Sequence, residues 1–214
     1  IKVVRGIRNM NIYLVRHGET DWNSLRKYQG RIDIELNEKG IGEAHLAGKK
    51  LKDYGIDCIY SSTLKRAMKT AEIINSYANT GEITTTEEII ELNLGEWEGK
   101  TWDEIQEGYK EFLTTWMTNR VKVKIPGGES YGDAEIRGIN FLRNLVNSCS
   151  CENVVVVSHG ALIAAVLCSI LSIDANHEGN FRVDNCSLNH IHYDKKDDKF
   201  TVVTLNDISH LRKK

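Results

Sequence analysis

Four successive valines, Val154–Val157, lie between Asn153 and Ser158 with no polar residue alternating among them. A strand with one wet face alternates apolar and polar side chains. An unbroken β-branched run fits a strand buried on both faces, and such strands belong to parallel sheets covered by helices on either side. The chain is therefore expected to be α/β. Its 214 residues suit one large domain with a full core.

The remaining sequence alternates in the same sense. Met10–Val15 reads as a second buried strand, and Asn37 as the cap of a helix from about 38 to 54, with Ile41, Ala44, Ala47, Gly48 and Leu51 on one side and Gly55 at the stop. A short strand over 56–60 precedes a helix opened by Ser62 or Thr63 and running to about Tyr77, striped by Leu64, Ala67, Ala71 and Ile74. Residues 83–90 are extended and β-branched. Residues 96–123 carry Trp97, Trp102, Tyr109, Phe112 and Trp116 at amphipathic spacing and read as a helical insertion, punctuated by Pro126-Gly127-Gly128. A helix over 131–147 leads into the valine strand, and 161–171 is a buried helix. Two late strands, about 182–193 and 200–205, form a hairpin across the polar 195–199 turn. These elements predict a three-layer α/β/α sandwich with a mostly parallel sheet, an antiparallel edge strand and a helical insertion over the site. One domain is expected over 10–214, with the insertion at about 96–124. Residues 1–9, with Lys2, Arg5 and Arg8 in no clear period, read as an appended or start-site extension.

Formal charge is -2, with acids and bases intermixed, so no basic stripe marks a nucleic-acid or membrane surface. No apolar stretch reaches spanning length and no secretory apolar core opens the chain, which predicts a cytoplasmic protein whose partner is a small molecule. Monomer and homodimer stay equally open. The five cysteines, an odd number, are expected to be reduced and mostly buried. Cys149-x-Cys151 and His190-x-His192 each put two ligands on one side of an extended chain. Neither has two further ligands at zinc-site spacing, so no metal site is assigned.

The chemistry-bearing residues fall where strands end. Arg16 and His17 follow the first strand, Ser61-Ser62-Thr63-Leu64-Lys65-Arg66-Ala67 follows the second, and Ser158-His159-Gly160 follows the valines. Open α/β sheets bind ligands at that edge. Taken alone, Arg66 is an ordinary solvated helix charge and His159 a satisfied buried imidazole. Taken together, Arg16, Arg66 and a protonated His159, helped by N–H groups at helix starts, provide the donors that a phosphate monoester needs, and a neutral His17 can attack phosphorus.

At this point the sequence resembles the histidine phosphatase superfamily, the phosphoglycerate-mutase-like enzymes. The resemblance is carried by Arg16-His17-Gly18-Glu19-Thr20-Asp21-Trp22-Asn23, Gln29-Gly30, Ser61-Ser62 with Arg66-Ala67 and Thr70-Ala71-Glu72, Glu91 to Gly99, Pro126 to Ser130, and Ser158-His159-Gly160. It implies that His17 becomes phosphohistidine, that Arg16, Arg66 and His159 form the phosphate pocket, and that Glu91 donates the proton to the leaving alkoxide and later activates water. Asn23, Thr20, Gln29, Gly30 and Gly160 are implied as auxiliary substrate-binding groups, and no cofactor or metal is implied. Where mutases of this type carry a basic-aromatic segment after the catalytic Glu, this chain has Leu92-Asn93-Leu94-Gly95, which favours hydrolysis. Within the superfamily the chain looks like the broad bacterial phosphatase branch that includes α-ribazole-phosphate phosphatases. The alternatives are a cofactor-dependent phosphoglycerate mutase and a catalytically weak binding protein of the same fold. The aromatic insertion is the candidate specificity element, although aromatic residues at helical spacing more often form local core.

Overall fold

A computed structural model describes residues 9–212. The domain boundary placed at residue 9 falls almost wholly on residues outside that range. One six-stranded sheet has the order β3-β2-β4-β1-β5-β6, with β1 at Met10–Arg16, β2 at Cys58–Ser62, β3 at Ile83–Thr86, β4 at Asn153–Ser158, β5 at Leu188–Asp194 and β6 at Lys199–Asp207. The valine strand β4 is central, parallel to β1 on one side and to β2 on the other. Its four valines are fully buried. They divide by strand alternation: Val154 and Val156 join one core, Val155 and Val157 the other.

Helices cover both faces, as two-sided burial requires. Packed against the Val155 face are α2 (Glu38–Leu51) and α3 (Lys65–Ala78), whose Ala44, Ala47, Leu51, Ala67, Ala71 and Ile74 are buried there. On the other face lie α6 (Tyr131–Ser148) and α7 (Gly160–Leu171). Asn37 caps α2 by accepting from Gly40 N, and Gly55 turns the chain out of the following 3-10 turn at φ +63. The β5–β6 hairpin closes the sheet with antiparallel pairing.

Several boundaries differ from expectation. The second strand starts two residues later than the hydrophobic run suggested, so Ser62 ends β2 and the helix begins only at Lys65. Strand pairing of β3 stops at Thr86, whose hydroxyl accepts from Glu88 N and turns 87–89 into a 3-10 turn that buries Ile89. The aromatic insertion is two short helices, α4 (Trp102–Gly108) and α5 (Lys110–Thr118), broken at Tyr109. Residues 182–187 belong to a turn rather than to the hairpin, because their backbone is used to hold the loop after β1. Finally, Cys168 and Cys186 are buried, but Cys58, Cys149 and Cys151 are only partly so. No helix among the described residues is long and apolar enough to cross a membrane.

Candidate active site

Parallel register fixes the edge at which the chemistry lies, with Arg16 paired to Ser158 and Ser61 to Val157. His17 comes next. Its N–H donates to the Ser158 carbonyl (2.9 Å), and its own carbonyl accepts from Asn185 Nδ2 (3.0 Å). The loop then passes so close to α2 that a Cβ at Gly40 would lie 2.1 Å from the Glu19 carbonyl oxygen, and one at Gly18 2.4 Å from that of Gly40. Only glycine permits this contact, which presses the His17 loop onto the sheet.

The imidazole of His17 is 3 % exposed, and its Nδ1 lies 2.8 Å from the Gly18 carbonyl oxygen. A carbonyl only accepts, so Nδ1 carries the hydrogen and the Nε2 lone pair is left free. Burial, then the charges of Arg66 and Arg16, hold this ring well below the ordinary histidine range, against a smaller opposing effect of the Gly18 carbonyl. A neutral ring with its tautomer fixed in this way has the chemistry of a nitrogen nucleophile.

Two guanidinium groups flank it. Arg16 Nη1 donates to the Val183 carbonyl (2.7 Å); Arg66, fully buried, donates through Nη1 to Ile32 O (2.8 Å) and through Nη2 to Gly30 O (2.7 Å). The Nε of each is buried without a partner. Backbone carbonyls therefore orient both cations without neutralising them, and among the described residues neither forms a salt bridge with a carboxylate. Burial lowers both, Arg66 to about 10, with Glu91 the main opposing charge. Uncompensated buried charge is costly unless an anion comes to it.

His159 corrects one expectation. It is fully buried behind His17, with ring centroids 5.2 Å apart, and it does not line the cavity. Its Nε2 meets Ser62 Oγ at 2.7 Å, whereas Nδ1 has no partner. Burial and the charges of Arg66, His17 and Arg16 push it well below the ordinary range, which favours a neutral ring over a third cation. The helix starts are also taken. Glu91 Oε2 accepts from Ala161 N (3.3 Å) and Oε1 from Leu162 N (3.1 Å) at the start of α7, while Asp33 accepts from Lys65 N at the start of α3. Carboxylates occupy the positions proposed for phosphate contacts.

Glu91 itself reaches the cavity, held additionally by Leu92 N to Oε1 at 2.8 Å. Glu87, Glu88 and Glu96 do not line it. Asn23, Gln29, Gly30 and Gly160 are in its wall, and Gln29 Oε1 is a buried acceptor with no partner. A Cβ at Gly160 would sit 3.3 Å from Arg16 Nε. Thr20 is not in the wall. It caps α1 (Asp21–Ser24) through reciprocal bonds with Asn23, so its hydroxyl positions Asn23 instead of meeting a ligand.

The cavity measures about 290 Å³. Tyr28, Leu94, Tyr131 and Glu178 line both it and a second hollow of similar size, about 290 Å³, walled further by Trp97, Trp102, Trp116 and Arg120. Trp116 is buried with its ring 4.7 Å from that of Trp97, so it is core and hollow wall at once. Arg120 pairs with Glu178 at 2.7 Å and stacks over Trp116 at 4.6 Å. Lys27, Tyr131, Glu178, Phe181 and Val183 were not among the expected site residues. They come from loops and helix starts without a motif. Position in sequence gave no sign of them, apart from Tyr131 following the Pro126-Gly127-Gly128 turn.

Comparison with known proteins gives the family. The family model described as the histidine phosphatase superfamily (branch 1) matches residues 12–208. Phosphoserine phosphatase 1 of Hydrogenobacter thermophilus is 35 % identical over 202 residues, covering 94 % of each chain. Among solved structures, a mutant phosphoserine phosphatase of Entamoeba histolytica in complex with phosphoserine superposes with TM-score 0.84 at 29 % identity, covering 95 % of this chain and 100 % of that one. The α-ribazole phosphatase of Shigella flexneri gives 0.82 at 25 % identity, covering 92 % and 96 %. The chain is a member of the histidine phosphatase superfamily, branch 1.

Proposed function

We propose that this chain hydrolyses small phosphate monoesters through a phosphohistidine on His17. The observation that carries the reading is a buried neutral imidazole, its Nδ1–H held by Gly18, beside two guanidinium groups that form no salt bridge among the described residues. In the first step Nε2 forms a bond to phosphorus as the ester P–O bond breaks, and the leaving oxygen takes a proton from Glu91 Oε2. In the second, water attacks the phosphorus, the P–N bond breaks, Glu91 receives the water's proton and phosphate departs. Arg16 and Arg66 hold the phosphoryl oxygens throughout, and His159, whose free Nδ1 lies close behind His17, gains a proton when a dianion offsets the surrounding charge. The two guanidinium groups supply the positive charge that a divalent ion supplies in metal-assisted phosphatases, so we assign the reaction no metal.

The first chamber, with Lys27 and Glu178 both in its wall, suits a short tail bearing an acid and an amine, and an amino-acid phosphate is the substrate class we favour. A second reading, a ring-bearing ester such as α-ribazole 5'-phosphate, draws support from the aromatic hollow beyond it. The test is in two parts. Quenched reactions with labelled substrate are expected to yield an acid-labile, alkali-stable protein adduct that His17→Ala abolishes. A kcat/KM comparison of phosphoserine, 3-phosphoglycerate and α-ribazole 5'-phosphate then ranks the tails. No adduct in the first part rejects the mechanism; preference for the ribazole ester moves the substrate to the second reading.

A further inference from the structure

At the opposite edge of the sheet three thiols meet. Cys58 opens β2, and Cys149 and Cys151 lie in the turn between α6 and β4. The β2 strand separates Cys58 from Ser62 at the active-site edge by about 13 Å at the usual rise per residue. All three Sγ atoms lie within 4.8 Å of one another, and Cys58 Sγ and Cys149 Sγ are 3.8 Å apart. None is fully buried, so an ion can reach them from solvent. Zinc–thiolate bonds are about 2.3 Å long, which places two sulfurs on a tetrahedral ion about 3.8 Å apart.

Two further features mark the turn as more than a packing contact of small apolar side chains. The Cys151 N–H points at Cys149 Sγ (3.4 Å), the kind of donor that supports a thiolate bound to a metal. Asp57, next to Cys58, accepts from both Glu152 N and Asn153 N at 2.8 Å, which ties the β2 and β4 starts together and holds Cys58 against the Cys149 turn. We infer that Cys58, Cys149 and Cys151 form a three-thiolate site for a soft, thiophilic cation of the Zn²⁺ type, with water completing the coordination. Loading the ion exchanges three S–H bonds for three S–metal bonds and releases the protons to solvent.

The experiment titrates the reduced full-length protein with Co²⁺ and then Zn²⁺. One equivalent of Co²⁺ is expected to give a thiolate-to-metal charge-transfer band that Zn²⁺ abolishes, with proton uptake by the buffer and an affinity rising about tenfold or more per pH unit below the thiol range. Cys58→Ser, Cys149→Ser and Cys151→Ser should each weaken binding at least ~10-fold, the usual scale for loss of a metal-site partner, and Cys168→Ser should leave it intact. Alkylation followed by mass analysis guards against misfolded variants: in the wild-type chain Zn²⁺ should slow labelling of these three cysteines together. Absence of the band, undiminished binding in Cys58→Ser, labelling indifferent to Zn²⁺, or a Cys58–Cys149 disulfide that forms in place of metal uptake would each overturn the assignment. Phosphatase turnover is no part of the readout, so this result is independent of the reaction proposed for His17.

Discussion

Replacing Glu91 by glutamine separates its chemistry from its packing. In the folded chain Oε1 accepts from Leu92 N and Leu162 N at 2.8 and 3.1 Å, and Oε2 from Ala161 N at 3.3 Å. A glutamine amide reproduces both Oε1 contacts and loses the third, because its NH2 group then faces an N–H. One long neutral hydrogen bond is worth about 0.5–1.5 kcal/mol, roughly tenfold at most in rate if all of it appeared in the transition state. Loss of a positioned acid costs on the order of 10²- to 10⁴-fold, provided the leaving oxygen is basic enough to need the proton. Glu91→Gln should therefore slow phosphorylation of His17 by an alkyl phosphate by about 10²- to 10⁴-fold, and by p-nitrophenyl phosphate by no more than about tenfold. The assay is single-turnover phosphorylation, since in steady state the role proposed for Glu91 in hydrolysis of the intermediate would mask the contrast. Glu96→Gln, whose carboxylate accepts from Tyr109 OH outside the cavity, is the control and should show no dependence on leaving group. Equal losses for both esters in Glu91→Gln would remove it from the acid role.

Four further outcomes follow from the same geometry. His17 and His159 titrate lower in the folded chain than their unfolded value of 6.5, so below that pH the unfolded chain binds protons that the folded one does not. Stability should fall as pH drops below 6.5, on the order of 1 kcal/mol per pH unit for each ring at most, measurable by urea unfolding between pH 7 and 5; a flat profile would show that the rings are not held neutral. Excess chelator should leave phosphatase turnover unchanged, and loss of activity restored by Mg²⁺ would refute the reading of the guanidinium pair. With 3-phosphoglycerate the phosphoryl group should pass to water, and primer-dependent formation of 2-phosphoglycerate would reassign the chain as a mutase. Gly40→Ala, whose Cβ would lie 2.1 Å from the Glu19 carbonyl, should cost about 1–3 kcal/mol of stability and depress kcat through displacement of the His17 loop, which unchanged kinetics would disprove.

Much of the architecture was legible because it rests on local pattern. The valine run, the Asn37 cap and the Gly55 stop each have a short-range cause, and each stands where sequence placed it. The gathering of Arg16, His17, Arg66 and Glu91 at one edge follows from strands that end in register. What escaped depends on partners far apart in sequence. Nothing local shows that Arg66 spends its donors on Gly30 and Ile32, that Glu91 occupies the α7 start, or that burial, with the charges around it, holds His159 neutral. Thr20 caps α1 and is not in the cavity wall, and a capping threonine and a ligand-binding threonine look alike in a sequence. The Cys149-x-Cys151 pair looked incomplete for a related reason: Cys58, the third thiol, arrives through strand pairing across 91 residues.

The two hollows have different origins, and that difference has a consequence for how such enzymes diversify. The charged one takes His17, Arg16 and Arg66 from strand ends and a helix start, while the walls of the aromatic one come, apart from Tyr28, from 94–131 and 178, segments added between sheet elements. If the ester tail occupies the aromatic hollow, as the second substrate reading has it, substitutions there can reshape its space without disturbing the hydrogen bonds that aim His17, Arg16 and Arg66. Selection can then change the preferred metabolite in small steps from an enzyme that already turns over, while the machinery for breaking the P–O bond is inherited whole.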